Sequence, residues 1–140
     1  MSCTGIKIFV DTNIIAYMFD SKDKAKQSNA RMIFAALVTS QRCCISTQVL
    51  QESFNVLTKK LRYTKDEALG IVSNLMNLPV HQITTSDVAE AMRISRATQY
   101  TIYDSMILAA AKAEGCDTVY SEDLNNGQEI NGVKIENPLI

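Results

Sequence analysis

Short apolar runs alternate with longer helical patterns along the chain. Residues 6–10 form a β-branched and aromatic run that only Lys7 interrupts, and such a run predicts a strand buried on both faces. Further strands are predicted at residues 43–46, 80–84, 117–120 and 132–135. Strands that alternate with helices predict an α/β fold in which a parallel sheet is covered by helices on both faces.

Amphipathic patterns between these runs predict helices at residues 13–19, 27–39, 47–61, 65–77, 87–98 and 102–114. Thr64 and Glu67 form a capping box before the fourth helix, and Gly115 predicts the end of the sixth. The residues expected to face the core are Met32, Ile33, Ala36 and Leu37 in the second helix, Leu50, Phe54, Leu57 and Leu61 in the third, Leu69, Val72, Leu75 and Met76 in the fourth, and Val88, Met92 and Ser95 in the fifth.

Four carboxylates occupy unusual places in this pattern. Asp11 and Asp123 each follow a predicted strand. Glu52 lies beside the core stripe of the third helix, and Asp104 is near the start of a helix that is otherwise almost wholly apolar. In a parallel α/β sheet, the carboxyl ends of the strands and the starts of the following helices share one edge, where ligands bind. We therefore expect the four carboxylates to converge there.

Composition limits the class of protein. The chain has 140 residues, a net charge of −1 and a pI near 5.8, so we expect one domain over residues 1–140 that is not a general nucleic-acid coating protein. No apolar run approaches the length of a membrane span, and the first residues do not form a signal peptide. These features predict a cytoplasmic protein without membrane contact.

Zinc and thiol chemistry are not favoured by the pattern. The four cysteines, at positions 3, 43, 44 and 116, form no C-x-x-C motif and are interpreted as reduced packing residues. His81 is the only histidine, it lies in a predicted strand, and no Ser or Cys nucleophile is placed to use it. The spacing therefore argues against a zinc site.

Carboxylates that converge repel one another, and a divalent cation relieves that repulsion. Ligands that are oxygen only indicate Mg²⁺ or Mn²⁺. Such ions activate water and stabilise the leaving oxygen of an in-line displacement.

Each acid also has a plainer interpretation. Asp11 can simply cap the first helix, and Asp104 can be a favourable charge in a first helical turn. Glu52 can be a solvated helix residue, Asp123 a turn residue, and Glu122 an outward neighbour of Asp123. The joint placement of the four acids favours a shared site over these separate roles.

With these motifs in hand, the chain resembles the PIN-domain ribonucleases, of the kind found as VapC toxins in type II toxin–antitoxin pairs. The resemblance rests on VDTN at residues 10–13, TQVLQESFNVL at 47–57, YDSMILAAA at 103–111 and VYSEDL at 119–124. Residues 126–128 and 132–138 also resemble bacterial members. One departure is Ser105, where many members have Ala.

The resemblance implies a three-layer α/β/α fold with a central, mostly parallel sheet of about five strands. It assigns the catalytic, metal-binding acids to Asp11, Glu52, Asp104 and Asp123, with Mg²⁺ or Mn²⁺ as the cofactor. Asn13 would hold the carboxylates by hydrogen bonds, and Ser121 would orient a ligand. Whether Glu122 replaces or supplements Asp123 stays open.

The implied reaction is hydrolysis of an RNA phosphodiester by a metal-activated water. The resemblance also implies a homodimer and a cognate antitoxin that covers the acidic groove. A pool of basic residues is available to hold the RNA backbone: Lys22, Lys24, Lys26, Lys59, Lys60, Arg62, Arg93 and Arg96.

Two other functions remain as alternatives. An Asp-nucleophile phosphatase also begins with a strand-terminal Asp, but its usual second Asp is replaced here by Asn13. A non-catalytic PIN-like scaffold would bind a partner only. The complete set of acids argues against the scaffold, since a scaffold has no physical reason to retain the repulsion between them.

Overall fold

The computed structural model describes residues 5–140. The strands are β1 (Ile8–Val10), β2 (Cys43–Ser46), β3 (Val80–His81), β4 (Thr118–Tyr120), β5 (Glu129–Ile130) and β6 (Val133–Glu136). The helices are α1 (Thr12–Tyr17), α2 (Lys24–Thr39), α3 (Thr47–Lys59), α4 (Lys65–Leu75), α5 (Thr85–Ala97) and α6 (Ile102–Ala113). Cys43, Cys44 and Cys116 are free and buried, whereas Cys3 lies outside the described residues.

The strands form one sheet in the order β3-β2-β1-β4-β6-β5. All neighbouring pairs are parallel except β5 and β6, which are antiparallel. Central β1 is fully buried, with Phe9 aligned to Cys44 on one side and to Val119 on the other. The predicted mostly parallel sheet between helices is confirmed, with six strands where about five were expected.

The additional strand, β5, forms a hairpin with β6. Asn131 and Gly132 connect the two strands and both have positive φ, 52° and 85°. These dihedrals are typical of the tight turn that an Asn-Gly pair favours. The dipeptide between Ile130 and Val133 was therefore a hairpin signal that the strand prediction did not use.

Strand β3 is shorter than predicted because the last residue of the predicted strand, Thr84, caps the following helix. Thr84 accepts a hydrogen bond from the backbone N–H of Asp87 and thereby caps α5, which starts at Thr85 rather than at residue 87. In the same way Asp23 caps α2, which begins at Lys24. The predicted capping box of Thr64 and Glu67 is confirmed at the start of α4.

Several predictions of residues that face the core were wrong. Met32, Ala36, Leu69, Met76, Val88 and Met92 are exposed. In α4 the buried residues are Ala68, Val72 and Leu75, so the true inward stripe begins one position before Leu69. Small side chains at the contact let helices pack closely, and the larger apolar side chains then lie outside.

The strand ends and helix starts that carry the acids lie at one edge of the sheet. Val10 and Tyr120 are aligned at the ends of β1 and β4, and the N–H of Asp11 donates to the carbonyl of Tyr120 at 2.9 Å. Asp11 and Ser121 therefore leave the sheet side by side. Helix α3 starts directly after β2, so the first turn of α3 lies at this edge. Helix α6 runs back towards the start of β4, so the first turn of α6 lies at the same edge.

None of the helices formed by residues 5–140 combines the length and apolar character that a membrane crossing requires.

Candidate active site

A pocket of about 550 Å³ opens at this edge of the sheet. All four predicted acids, Asp11, Glu52, Asp104 and Asp123, line it. Neither His nor Cys is among its lining residues within the described part of the chain. The topology thus brings to one cavity carboxylates that are separated by up to 112 positions in the chain, from residue 11 to residue 123.

Asp11 is the most buried of the four acids. Its Oδ1 accepts from the N–H of Thr12 at 2.7 Å, so it caps α1, and its Oδ2 accepts from the hydroxyl of Ser121 at 2.8 Å. Burial raises the pKa of Asp11 to about 6, although the hydrogen bonds from Ser121 and Thr12 lower it. The charges of Glu52 and Asp123 raise this pKa further. The capping role and a place in the pocket are therefore compatible.

Asn13 and Ser121 lie between the acids. The amide nitrogen of Asn13 is 3.3 Å from Oδ2 of Asp11 and 3.1 Å from Oδ2 of Asp123. Its amide oxygen accepts from the N–H of Glu122 at 3.0 Å. The fully buried Ser121 hydroxyl accepts from the N–H groups of Asp123 and Leu124 while it donates to Asp11. Asn13 and Ser121 thus join the end of β1 to the loop after β4.

Glu52 and Asp104 come from the two helices that face the pocket. Oε1 of Glu52 accepts from the hydroxyl of Thr12 at 3.0 Å, a contact that the sequence pattern did not reveal. Asp104 lies in the first turn of α6, where its backbone N–H donates to the capping hydroxyl of Thr101. Both acids are half-buried, whereas Asp123 is exposed.

Glu122 lines the same pocket, but its carboxylate is engaged elsewhere. Oε1 accepts from the hydroxyl of Tyr17 at 2.6 Å, and Oε2 accepts from Nζ of Lys26 at 2.8 Å. Burial raises the pKa of Glu122, but these two hydrogen bonds outweigh burial and leave the pKa below its usual value. The ammonium of Lys26 also lies 4.7 Å from the centre of the Tyr17 ring. Sequence reasoning missed the pairing of Tyr17 and Lys26 with Glu122, because no local spacing signals it.

The donor chemistry of the pocket fits a hard divalent cation, because the charged acceptors are carboxylates alone. Within residues 5–140, however, no three His, Cys, Asp or Glu side chains are grouped closely enough to hold an ion. The carboxylates would therefore have to turn towards one another in order to share a cation.

His81 lies outside this pocket. Its Nδ1 is 2.8 Å from Oε1 of Glu114, and its Nε2 is 2.7 Å from Oδ2 of Asp87. Burial lowers the pKa of His81, but the two carboxylates raise it further, so the net shift is upward. The histidine therefore joins β3, the start of α5 and the end of α6.

Solved structures that share this fold include the following three. The first is VapC20 of Mycobacterium tuberculosis, a sarcin-ricin loop cleaving toxin, with 20% identity, a TM-score of 0.68, and coverage of 84% of this chain and 90% of that one. The second is DNA-bound VapBC from Salmonella typhimurium, with 25% identity, a TM-score of 0.68, and coverage of 94% and 98%. The third is VapBC2 from Rickettsia felis bound to a promoter DNA fragment, with 16% identity, a TM-score of 0.68, and coverage of 94% and 98%.

No curated protein sequence matches the chain. The profile of the PIN domain family matches residues 8–126, a range that includes all four acids, Asn13 and Ser121. This match confirms the resemblance that the sequence motifs indicated. The chain belongs to the PIN domain family.

Proposed function

We propose that this chain is a metal-dependent endoribonuclease, that it forms one nuclease domain over residues 1–140, and that it is the toxin of a toxin–antitoxin pair. The observation that carries the proposal is the convergence of Asp11, Glu52, Asp104 and Asp123 on one pocket. The family membership and the toxin structures that share the fold support it.

The side chains have distinct roles in this proposal. Asp11 provides a carboxylate whose position is set by Ser121 and by the first peptide of α1. The amide nitrogen of Asn13 donates to both Asp11 and Asp123, and the hydroxyl of Thr12 donates to Glu52. These contacts limit the freedom of three carboxylates before any ligand arrives, and such restraint strengthens binding.

We propose that Asp11, Glu52, Asp104 and Asp123 hold Mg²⁺ or Mn²⁺. When bound, such a cation offsets the charge of the acids, activates a water for in-line attack on the phosphodiester and stabilises the leaving oxygen. The acidic pocket repels the RNA backbone in the absence of the cation, so cleavage should depend on it strictly.

The partners follow from the same proposal. RNA is the substrate, an antitoxin is the inhibitor, and we expect a homodimer in the cytoplasm. An apolar groove of about 370 Å³ between α3 and α4, which includes Phe54, Leu69 and Met76, supports a protein partner. Exposed Leu69 and Met76 give this groove the character of a helix-binding surface.

The test is cleavage of a mixed structured RNA by the purified protein in EDTA, Mg²⁺ or Mn²⁺. Asp11→Asn and Asp104→Asn should each abolish the metal-dependent cleavage. Glu129→Gln is the matched control, because Glu129 is exposed on β5 and does not line the pocket.

Two other results would redirect the assignment. Failure to cleave, together with no calorimetric binding of Mn²⁺, would remove the metal site and favour a non-catalytic scaffold. A trapped aspartyl adduct on Asp11 would instead indicate an Asp-nucleophile phosphatase, because hydrolysis by water forms no covalent enzyme intermediate.

A further inference from the structure

Tyr103 is exposed at the entrance of the acidic pocket. Its side chain is 70% accessible, and it lines the cavity next to Asp104. A single exposed aromatic residue is ordinary on a protein surface. This ring, however, lies beside the acids that are proposed to hold the divalent cation at the scissile phosphate. Aromatic rings in such positions stack on the unpaired bases of single-stranded nucleic acid.

The neighbouring wall of the pocket is formed by carboxamides. Gln48, Gln51 and Asn55 line the cavity and recur along α3 on the same face as Glu52. Each carboxamide offers both a donor and an acceptor, which is the combination that base edges present. These neutral groups add no charge to the acidic pocket.

A hydrogen bond connects Tyr103 to this wall. Nε2 of Gln48 donates to the backbone carbonyl of Tyr103 at 3.1 Å. Oε1 of Gln48 is buried and has no hydrogen-bond partner among the described residues. A buried acceptor without a partner is unfavourable, so a turn of the Gln48 side chain that exposed Oε1 to a donor would gain a hydrogen bond. The exocyclic amino group of a base is such a donor.

We propose that Tyr103 and the carboxamides of Gln48 and Gln51 form a nucleobase subsite beside the four acids. A base next to the scissile phosphate of a single-stranded RNA stacks on the Tyr103 ring. The carboxamides form hydrogen bonds with the edge of that base. This inference rests on the proposed nuclease function and names the side chains that would hold a base of its substrate. The polar surroundings favour RNA over an apolar protein partner, for which the groove between α3 and α4 is better suited.

The absence of tryptophan from the chain allows a direct test. Tyr103→Trp introduces a single indole at the subsite, and stacking of a base quenches its fluorescence. Met92→Trp is the control, because Met92 is exposed on α5 and does not line the pocket. The probes are ten-nucleotide single strands of oligo-A, oligo-C and oligo-U, with an abasic strand of equal length. Titrations are made in Mg²⁺ and in EDTA, and the recovered RNA is checked for cleavage.

We expect saturable quenching of the Tyr103→Trp protein in Mg²⁺ by at least one base-bearing strand, and none by the abasic strand. The Met92→Trp protein should show no quenching. In fluorescence anisotropy, Tyr103→Ala should weaken binding of the same strand about 10-fold, whereas Tyr103→Phe should preserve it. Circular dichroism verifies that each variant is folded.

Equal binding by the Tyr103→Ala and unsubstituted proteins, without base-dependent quenching, would overturn the subsite. A change in molar mass for Tyr103→Ala, with strand binding unchanged, would overturn it in favour of a protein interface. The quenching does not require cleavage, so the two proposals can fail separately. Base-dependent quenching without cleavage would support the subsite and count against the nuclease function. Cleavage without quenching would support the nuclease function and count against the subsite.

Discussion

The hydroxyl of Ser121 donates a 2.8 Å hydrogen bond to Oδ2 of Asp11, across 110 positions of the chain. The two residues meet because β1 and β4 are parallel neighbours whose ends are aligned. The same hydroxyl accepts from the loop N–H groups of Asp123 and Leu124. Ser121 therefore fixes Asp11 and the loop that carries Asp123 together.

Replacement of this serine should weaken metal binding. Ser121→Ala removes a hydrogen bond that lowers the pKa of Asp11 and leaves its carboxylate less restrained. Loss of such a supporting contact reduces metal affinity by roughly 10- to 100-fold. Calorimetric titration with Mn²⁺ measures the change. Ser105→Ala is the matched control, because Ser105 is also fully buried but its hydroxyl has no partner among the described residues. Equal affinities for the two variants would contradict the role given to Ser121.

Neutralising Asp11 should stabilise the metal-free protein at alkaline pH. The folded-state pKa is raised from 3.8 to about 6, so the contribution of Asp11 to stability is present below pH 3.8 and lost as pH rises through about 6. Such a shift corresponds to about 3 kcal/mol above pH 6, and the hydrogen bonds lost by Asp11→Asn offset part of it. We therefore expect the variant to gain about 1 kcal/mol in free energy of unfolding at pH 8 in EDTA.

Urea unfolding at pH 4 and pH 8 tests this expectation. The gain should disappear at pH 4, where the carboxyl is largely protonated in the folded protein. Added Mg²⁺ should raise the melting temperature of the unsubstituted protein more than that of Asp11→Asn. If Asp11→Asn is less stable by the same amount at both pH values, the buried charge of Asp11 does not destabilise the folded protein.

The histidine that links β3 to two helices should make stability depend on pH in its own way. His81 has a raised pKa because Glu114 and Asp87 outweigh the opposing effect of burial. Its contribution is therefore complete below the ordinary value of 6.5 and is lost as pH rises through the higher folded-state value. His81→Gln should cost about 2 kcal/mol in free energy of unfolding at pH 6 and clearly less at pH 9.

A surface ion pair provides the comparison for His81. Arg93 and Glu90 are joined at 2.9 Å on the exposed side of α5, and this pair contains no imidazole. Arg93→Gln should therefore lower stability slightly and equally at both values. A cost for His81→Gln that did not change with pH would mean that the imidazole acts there as a neutral group.

Lys60 should contribute to the salt dependence of RNA binding. Among the described residues, Lys60 is the only Lys or Arg that lines the acidic pocket, and it lies at the end of α3. A phosphate contact at this position predicts that Lys60→Ala lowers the slope of log affinity against log salt by about 1. Fluorescence anisotropy with a single-stranded RNA at several salt concentrations measures the slope. Its exposed neighbour Lys59 does not line the pocket, so Lys59→Ala should leave the slope nearly unchanged, and equal effects would argue against a specific contact.

Local chemistry determined much of the fold. The apolar run before Asp11 predicted the central strand, and Thr64 with Glu67 predicted the start of α4, because hydrophobic period and capping depend on near neighbours. The Asn131-Gly132 turn was equally local, so the β5–β6 hairpin could have been predicted. The placement of Asp11 and Asp123 after strands of a parallel sheet was enough to expect a common pocket.

Only the tertiary structure decided contacts that depend on packing between distant elements. Whether Ala68 or Leu69 faces the core depends on how closely α4 approaches its neighbours, and both residues fit a helical stripe in the sequence. The engagement of Glu122 by Lys26 depends on the position of α2 relative to the loop after β4. The bond from Gln48 to Tyr103 similarly depends on how α3 lies against α6. The sequence by itself determined which acids could meet, because strand ends share an edge, whereas packing determined which other side chains surround them.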